Sequence, residues 1–227
     1  MTVITISGQI GAVGDIPKQV GRMLGCRVVD AEIGGDLARR LGWTEADVRG
    51  FDERVGGFFE RLTRFLDAAG LMQVDAGAGV WSPGATFLEP SGPLRTAEER
   101  FIKALRDQLI EYAEEDDVVI VGRGGAAILS EWPLALHVRL DSPIEDRVRC
   151  VAMKELLSRT EAERLVRESD AQREAWHRHY FGVGYRTPYL YGLTLNTHMM
   201  RPEWVAEIVC EAVGEAAVLP DGRVPVH

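Results

Sequence analysis

A chain of 227 residues, 46% hydrophobic and 27% charged, is long enough to bury one substantial core and has the make-up of an ordinary soluble domain, so a single domain over 1–227 with an insertion is expected. Its net charge of −9 argues against a surface that coats nucleic acid, while leaving room for a local basic cleft, and no apolar run approaches the ~20 residues of a membrane span. Cys26, Cys150 and Cys210 are odd in number, widely spaced and set in apolar surroundings, and the N-terminus is strand-like rather than signal-like; we expect no disulfide framework, no metal site and a reducing, cytoplasmic setting.

The chain opens on a β-branched run, Thr2 to Ile6, that Ser7 and Gly8 stop. The loop GQIGAVGD follows, and Pro17 then stands where the first turn of a helix tolerates it, with Val20, Met23 and Leu24 as the apolar face. Strand, glycine loop and helix together let backbone N–H groups converge on a phosphate. Against the pattern G-x-x-x-x-G-K-[ST], with Gly8 on the first glycine, Val13 falls on the second, Gly14 on the lysine and Asp15 on the hydroxyl. The loop thus offers a cradle without its fixed cation, and by itself leaves open whether the glycines bind phosphate or only turn the chain.

Arg27 to Asp30 reads as a second short strand ending in a carboxylate, and 31–41 as a helix with Leu37, Ala38 and Leu41 on one side and Gly42 as its stop. Thr44 with Asp47 predicts another helix start. A helix over about 55–69 carries a stripe of Phe58, Phe59, Leu62, Phe65 and Leu66 that is either core or a partner face, the latter in a homodimer. Residues 70–94 show no regular pattern, which fits a substrate-side flap or plain disorder. Thr96 with Glu99 opens a helix in which Phe101, Leu105, Leu109 and Tyr112 recur on one face, and its acidic end, Glu114 to Asp117, reads as a solvated exit.

Val118 to Val121 is apolar on both faces and so central to a parallel sheet. It runs into Gly122-Arg123-Gly124-Gly125, leaving Arg123 at the sheet's C-terminal edge, where its planar fork suits an anion. Residues 135–140 alternate as a strand, with His137 packed inside it. A helix then begins with Ser142 as cap and Pro143 in the first position, and carries Arg147 and Arg149. Ser158 with Glu161 opens a long polar helix bearing Arg164, Arg167, Arg173 and Arg178. Leu193 to Asn196 is the last strand, before a helix starting at Pro202 with Val205, Ile208, Val209, Ala212 and Val213 inward.

Five short strands alternating with helices predict an α/β fold in three layers, α/β/α, with a five-stranded parallel sheet and right-handed crossovers. Two helical insertions would overhang the ligand edge: 31–95 on the acceptor side and 150–182 as a lid. Phosphoryl transfer asks for such lids and for fixed positive charge around the moving group.

The blocks TVITISGQIGAVGDIPKQVGRMLGCRVVDAEI, VVIVGRGGAAIL, LHVRLDSPIEDRVRCV, SRTEAERLVRESDAQREAWHRHYFG and LTLNTHMM resemble, in order and spacing, those of the cytidylate kinase-like family, over nearly the whole chain except about 51–94. The resemblance implies a P-loop kinase fold, ATP with Mg2+ as donor, and a pyrimidine nucleoside monophosphate such as CMP as acceptor. It places Gly8, Gly11, Ala12, Val13, Gly14 and Asp15 around the donor phosphates and Asn196 near the adenine. Asp30 and Arg123 fall on the acceptor, and Arg147, Asp170, Arg173 and Arg178 on the transferring group. The family's opening is often S-R-E-[YF]-G-S-G-G; here Gly8, Gln9 and Ile10 replace the arginine, glutamate and aromatic, and Val13 a glycine. Two readings follow: an active kinase whose lid arginines stand in for the loop lysine, or a catalytically degenerate relative that binds a nucleotide, another anion or a protein partner and regulates.

Overall fold

β-branched side chains on both faces put the first strand where no face meets water. In the computed structural model, which describes residues 2–51 and 97–216, Val3–Gly8 (β1) is buried at every position. It forms the middle of a five-stranded sheet in the order β2-β3-β1-β4-β5, the others being Arg27–Val29 (β2), Val118–Val121 (β3), Leu136–Asp141 (β4) and Leu193–Asn196 (β5). All pairings are parallel. The register sets Ile6 beside Val121 and Val138, and Asp141 beside Asn196. β3 is fully buried and interior as its composition predicts, but the central place belongs to β1.

Helices cover both faces. On one, Ile16–Leu24 (α1) and Pro202–Ala216 (α8) pack Ile16, Val20, Val205 and Val209 against Ile4, Ile6 and Leu140. On the other, Glu32–Leu41 (α2), Ala97–Glu115 (α4) and the short Gly125–Ile128 (α5) bury Ile33, Leu37, Leu105, Leu109 and Leu129 over Ile120. Ile144–Glu155 (α6) and Arg159–Phe181 (α7) form a hairpin with a core of its own, Val148, Val151, Ala162 and Val166. The far end of α7 is anchored by Trp176, fully buried in the second face, whose Nε1 donates to the Phe51 carbonyl at 2.7 Å.

Local signals account for most boundaries. Gly42 stops α2 with φ 68°, a left-handed conformation that costs glycine nothing. Glu45–Arg49 (α3) starts with a reciprocal box, Asp47 N–H donating to Thr44 Oγ1 at 3.2 Å and Thr44 N–H to Asp47 Oδ2 at 3.0 Å. Ser158 and Glu161 do the same for α7. His137 is packed as expected, its ring between Thr5 Oγ1 and the Leu129 carbonyl.

Two expectations need correction. Ser142 does not cap α6: the helix starts at Ile144 with Pro143 in the cap position. Pro143 takes a non-helical ψ of 147°, and its carbonyl accepts the first helical bond, from the Arg147 N–H at 3.2 Å, so the helix opens one residue late; the Ser142 carbonyl accepts from Arg147 Nε at 3.1 Å. Cys150 is exposed rather than set in apolar surroundings, because it lies on the outer side of α6, away from Val148 and Val151; Cys26 alone is buried. The helix near 55–69 with its apolar stripe, the 70–94 segment and Thr96 lie outside the described residues. Among the described residues no helix is long and apolar enough to cross a membrane.

Candidate functional site

The C-terminal edge of the sheet opens between β1 and β3. β1 leaves toward α1 on one face while its neighbour β3 leaves toward α5 on the other, and such a divergence makes a crevice. The glycine loop fills the β1 side and is tightly held. A Cβ on Gly8 would stand 2.5 Å from Val13 Cγ2 and 3.0 Å from the Leu140 carbonyl oxygen. Gly11, at φ +82°, would push a Cβ to 2.9 Å from the Arg147 carbonyl oxygen, so the loop rests on the backbone of α6. The Ala12 N–H donates to the Gln9 carbonyl at 3.0 Å, closing a turn inside the loop. Gly14, at φ +52°, faces open space, and Asp15 beyond it is exposed and 3.7 Å from Lys18.

On the β3 side, Arg123 itself adopts φ 50°, between Gly122 at 72° and Gly124 at 69°. A non-glycine residue in this region is strained, and the turn is kept by what surrounds it. The guanidinium is buried and Nη1 donates to the carbonyl oxygen of Asp30. The two residues expected on the acceptor therefore do meet, through a main-chain oxygen.

α7 reaches the loop through charge. Asp170 receives Arg147 in a two-pronged pair, Nη1 at 3.0 Å and Nη2 at 2.8 Å, with the arginine side chain only 3% exposed and the carboxylate 18%. Such pairs are strong and directional, and each partner depends on the other to remain buried. The same carboxylate accepts from Gln9 Nε2 at 3.2 Å, and Gln9 also donates to the Tyr185 hydroxyl at 3.0 Å. Arg173 is buried, donates to the Gly8 carbonyl and stacks its cation 5.9 Å from the Tyr185 ring centre. Three of the four residues expected on the transferring group thus converge on the loop. Arg178 does not: five positions beyond Arg173 it points elsewhere, 70% exposed and paired with Glu174 at 2.7 Å.

Beside the loop runs an open cleft of about 750 Å³, lined by Gln9, Arg139, Asp141 to Ile144, Arg147, Arg167, Asp170, Arg186, Thr194 and Asn196. Four arginines face two aspartates there, a locally basic surface on an acidic chain. Arg139 is held by Asp141 through Nε at 3.2 Å and through Nη2, and gives Nη1 to the Arg186 carbonyl at 2.8 Å. Arg186 donates Nε to the Tyr185 hydroxyl at 2.9 Å, a bond that, more than its carboxylate neighbours, raises the guanidinium above its ordinary value. Asn196, exposed at the end of β5, turns the chain by accepting the His198 N–H at 3.0 Å. Gln9, Arg139, Asp141, Tyr185 and Arg186 were not among the residues the sequence singled out. The alternation of 136–141, which sends Arg139 and Asp141 the same way at the ligand edge, was the signal available for two of them.

A family model described as the cytidylate kinase-like family matches residues 3–199. The cytidylate kinase of Thermococcus sibiricus is 33% identical over 113 residues, 50% of this chain and 56% of that protein. That of Pyrococcus horikoshii is 34% identical over 107 residues, covering 46% and 53%. The match thus spans about half the length of these curated relatives. A crystal structure of an uncharacterized protein from Eubacterium ventriosum overlays with a TM-score of 0.61 at 12% identity, covering 94% of this chain and 99% of that one, a likeness of fold.

Proposed function

The chain belongs to the cytidylate kinase-like family, and from that premise we propose that it transfers a phosphoryl group from ATP to a pyrimidine nucleoside monophosphate such as CMP. The observation that carries this reading is the convergence of Arg147, Asp170 and Arg173 on the glycine loop at the ligand edge of the sheet. In-line transfer through a loose transition state asks the protein mainly for position and fixed charge.

The chain's own groups divide that task. Backbone N–H groups of Gly11, Val13 and Gly14, at the N-terminal end of α1, would face the donor phosphates; Ala12 is less suited, its N–H being used within the loop. Asn196 and the β5 end would border the adenine. Arg123 would hold the acceptor phosphate, with Asp30 fixing its direction. Arg173 and the Arg147–Asp170 pair keep the lid helix seated on the loop, so that water is excluded when the nucleotide is bound. Arg178 lies in the lid segment and would come into play only if α7 shifts.

Mg2+ suits the residues present in a limited way. No group of three or more histidine, cysteine, aspartate or glutamate side chains among the described residues could hold a metal by itself. Magnesium, however, keeps several waters and needs only one or two carboxylates beside the substrate's phosphates. Asp15, exposed at the end of the loop, is the carboxylate that would hold it, and the ion would supply neutralisation of phosphate charge that Asp15 alone would oppose.

Titration calorimetry with ATP and magnesium, then with CMP, followed by a coupled transfer assay on the same sample, tests the proposal. ATP binding and CMP turnover are expected. No ATP binding at millimolar concentration would overturn it; binding without turnover of any monophosphate would leave a regulatory nucleotide-binding relative.

A further inference from the structure

We propose that Arg186 is the cation that meets the donor's phosphates in place of the lysine missing from the glycine loop; this rests on the kinase reading above. The lysine position is Gly14, which carries no side chain, so the charge must come from elsewhere.

Most of the nearby cations are already engaged. Arg147 gives both terminal nitrogens to Asp170 and Nε to the Ser142 carbonyl, and is buried. Arg173 is buried against the Gly8 carbonyl. Arg139 is closed on Asp141. Arg167 holds Glu163 one turn back on its own helix, at 3.0 and 2.8 Å. Arg186 differs in kind. Its side chain is 55% exposed in the cleft wall, and its carboxylate contact is Asp170 at 3.5 Å, an oxygen already taken at 2.8 Å by Arg147. Two guanidiniums on one carboxylate leave a net positive charge, and the solvated one is the one able to turn to an anion.

Arg186 is also well mounted. Its Nε rests on the Tyr185 hydroxyl at 2.9 Å, and that hydroxyl accepts from Gln9 of the loop at 3.0 Å. The guanidinium lies 5.4 Å from the Tyr185 ring centre. Its carbonyl is fixed by Arg139 and the next residue by a turn, Thr187 N–H to Gly184 at 3.1 Å. The base of the side chain is therefore tied to the loop while its Nη atoms face the cleft. A planar, permanently charged fork there can give two parallel hydrogen bonds to a phosphate.

The test compares wild type, Arg186→Gln and Arg186→Lys for ATP affinity, CMP affinity and steady-state transfer. Arg186→Gln should weaken ATP binding about tenfold or more and lower kcat by about 10²–10³-fold, with CMP affinity and the thermal midpoint unchanged. Arg186→Lys should restore part of the ATP affinity. In the wild type, ATP should shield Arg186 from phenylglyoxal, read by mass spectrometry, a measurement that needs no variant. Wild-type ATP affinity and kcat in Arg186→Gln, or no shielding under saturating ATP, would overturn the assignment while leaving the kinase reading intact. No ATP binding by the wild type would overturn both.

Discussion

Gln9 and Asp170, 161 positions apart, meet at 3.2 Å, and through this bond the loop after the first strand and α7 share one carboxylate with Arg147. The loop's conformation and the position of α7 are therefore set together.

Removing that carboxylate should be costly. Asp170→Ala leaves the Arg147 guanidinium buried without its partner, and urea unfolding should register a loss of about 3–5 kcal/mol. Replacing both residues together, Arg147→Met with Asp170→Leu, should cost well under the sum of the single changes. Additive losses would mean the two side chains do not act as a pair.

The two loop glycines should respond unequally to a methyl group. Gly11→Ala forces a side chain at φ +82° into the Arg147 backbone at 2.9 Å, whereas Gly14→Ala, also left-handed, meets nothing within 4 Å. We expect about 2–3 kcal/mol for the first and about 1 kcal/mol for the second by denaturant unfolding.

Arg123 separates strain from binding. Arg123→Ala and Arg123→Gly should both weaken CMP binding about tenfold or more while sparing ATP affinity, since either change removes the guanidinium. The glycine variant should be the more stable of the two, by up to about 1 kcal/mol, because φ 50° no longer opposes a Cβ. Unchanged CMP affinity in both would take Arg123 out of the acceptor site.

The start of α7 should show a pH signature. Hydrogen bonds from the Ser158 side chain and backbone hold the Glu161 carboxyl below its ordinary value. A carboxylate with a lowered folded-state value stabilises the fold above the unfolded-state value and loses that contribution as the pH falls through the folded one. Ser158→Ala should therefore lower the thermal midpoint at neutral pH, and the gap from wild type should narrow on acidification below about pH 4. A gap independent of pH would show that the box does not act through the carboxylate.

Elements governed by local chemistry were legible in the sequence. Short apolar runs, several of them β-branched, and the alternation of 135–140 gave the strands, and glycine stops and serine or threonine boxes gave helix ends, since each depends on neighbours a few residues away. Ser142 shows where local reading fails: Pro143, with a non-helical ψ of 147°, takes the cap position itself, and α6 starts late. Arg147, Asp170 and Arg173 could be placed through resemblance, and the structure brings them to the loop. Gln9, Tyr185 and Arg186 could not, because their bonds join segments 176 positions apart and no periodicity encodes them. Arg178 belongs to the same basic row as Arg173, but only helix geometry reveals that the two look different ways.

The central place of β1 bears on how the protein is made. This strand is made before the other four of its sheet, yet both its neighbours, β3 and β4, lie beyond residue 117. Its backbone and both apolar faces must wait, unpaired, while the stretch between Gly8 and Val118 is made, which at ~5–20 residues per second is a delay of roughly 5–25 seconds. Long-range parallel pairing also closes slowly once its partners exist. A strand buried at every position in the finished protein is thus the one left longest unpaired in the nascent chain, where a chaperone would find a handhold.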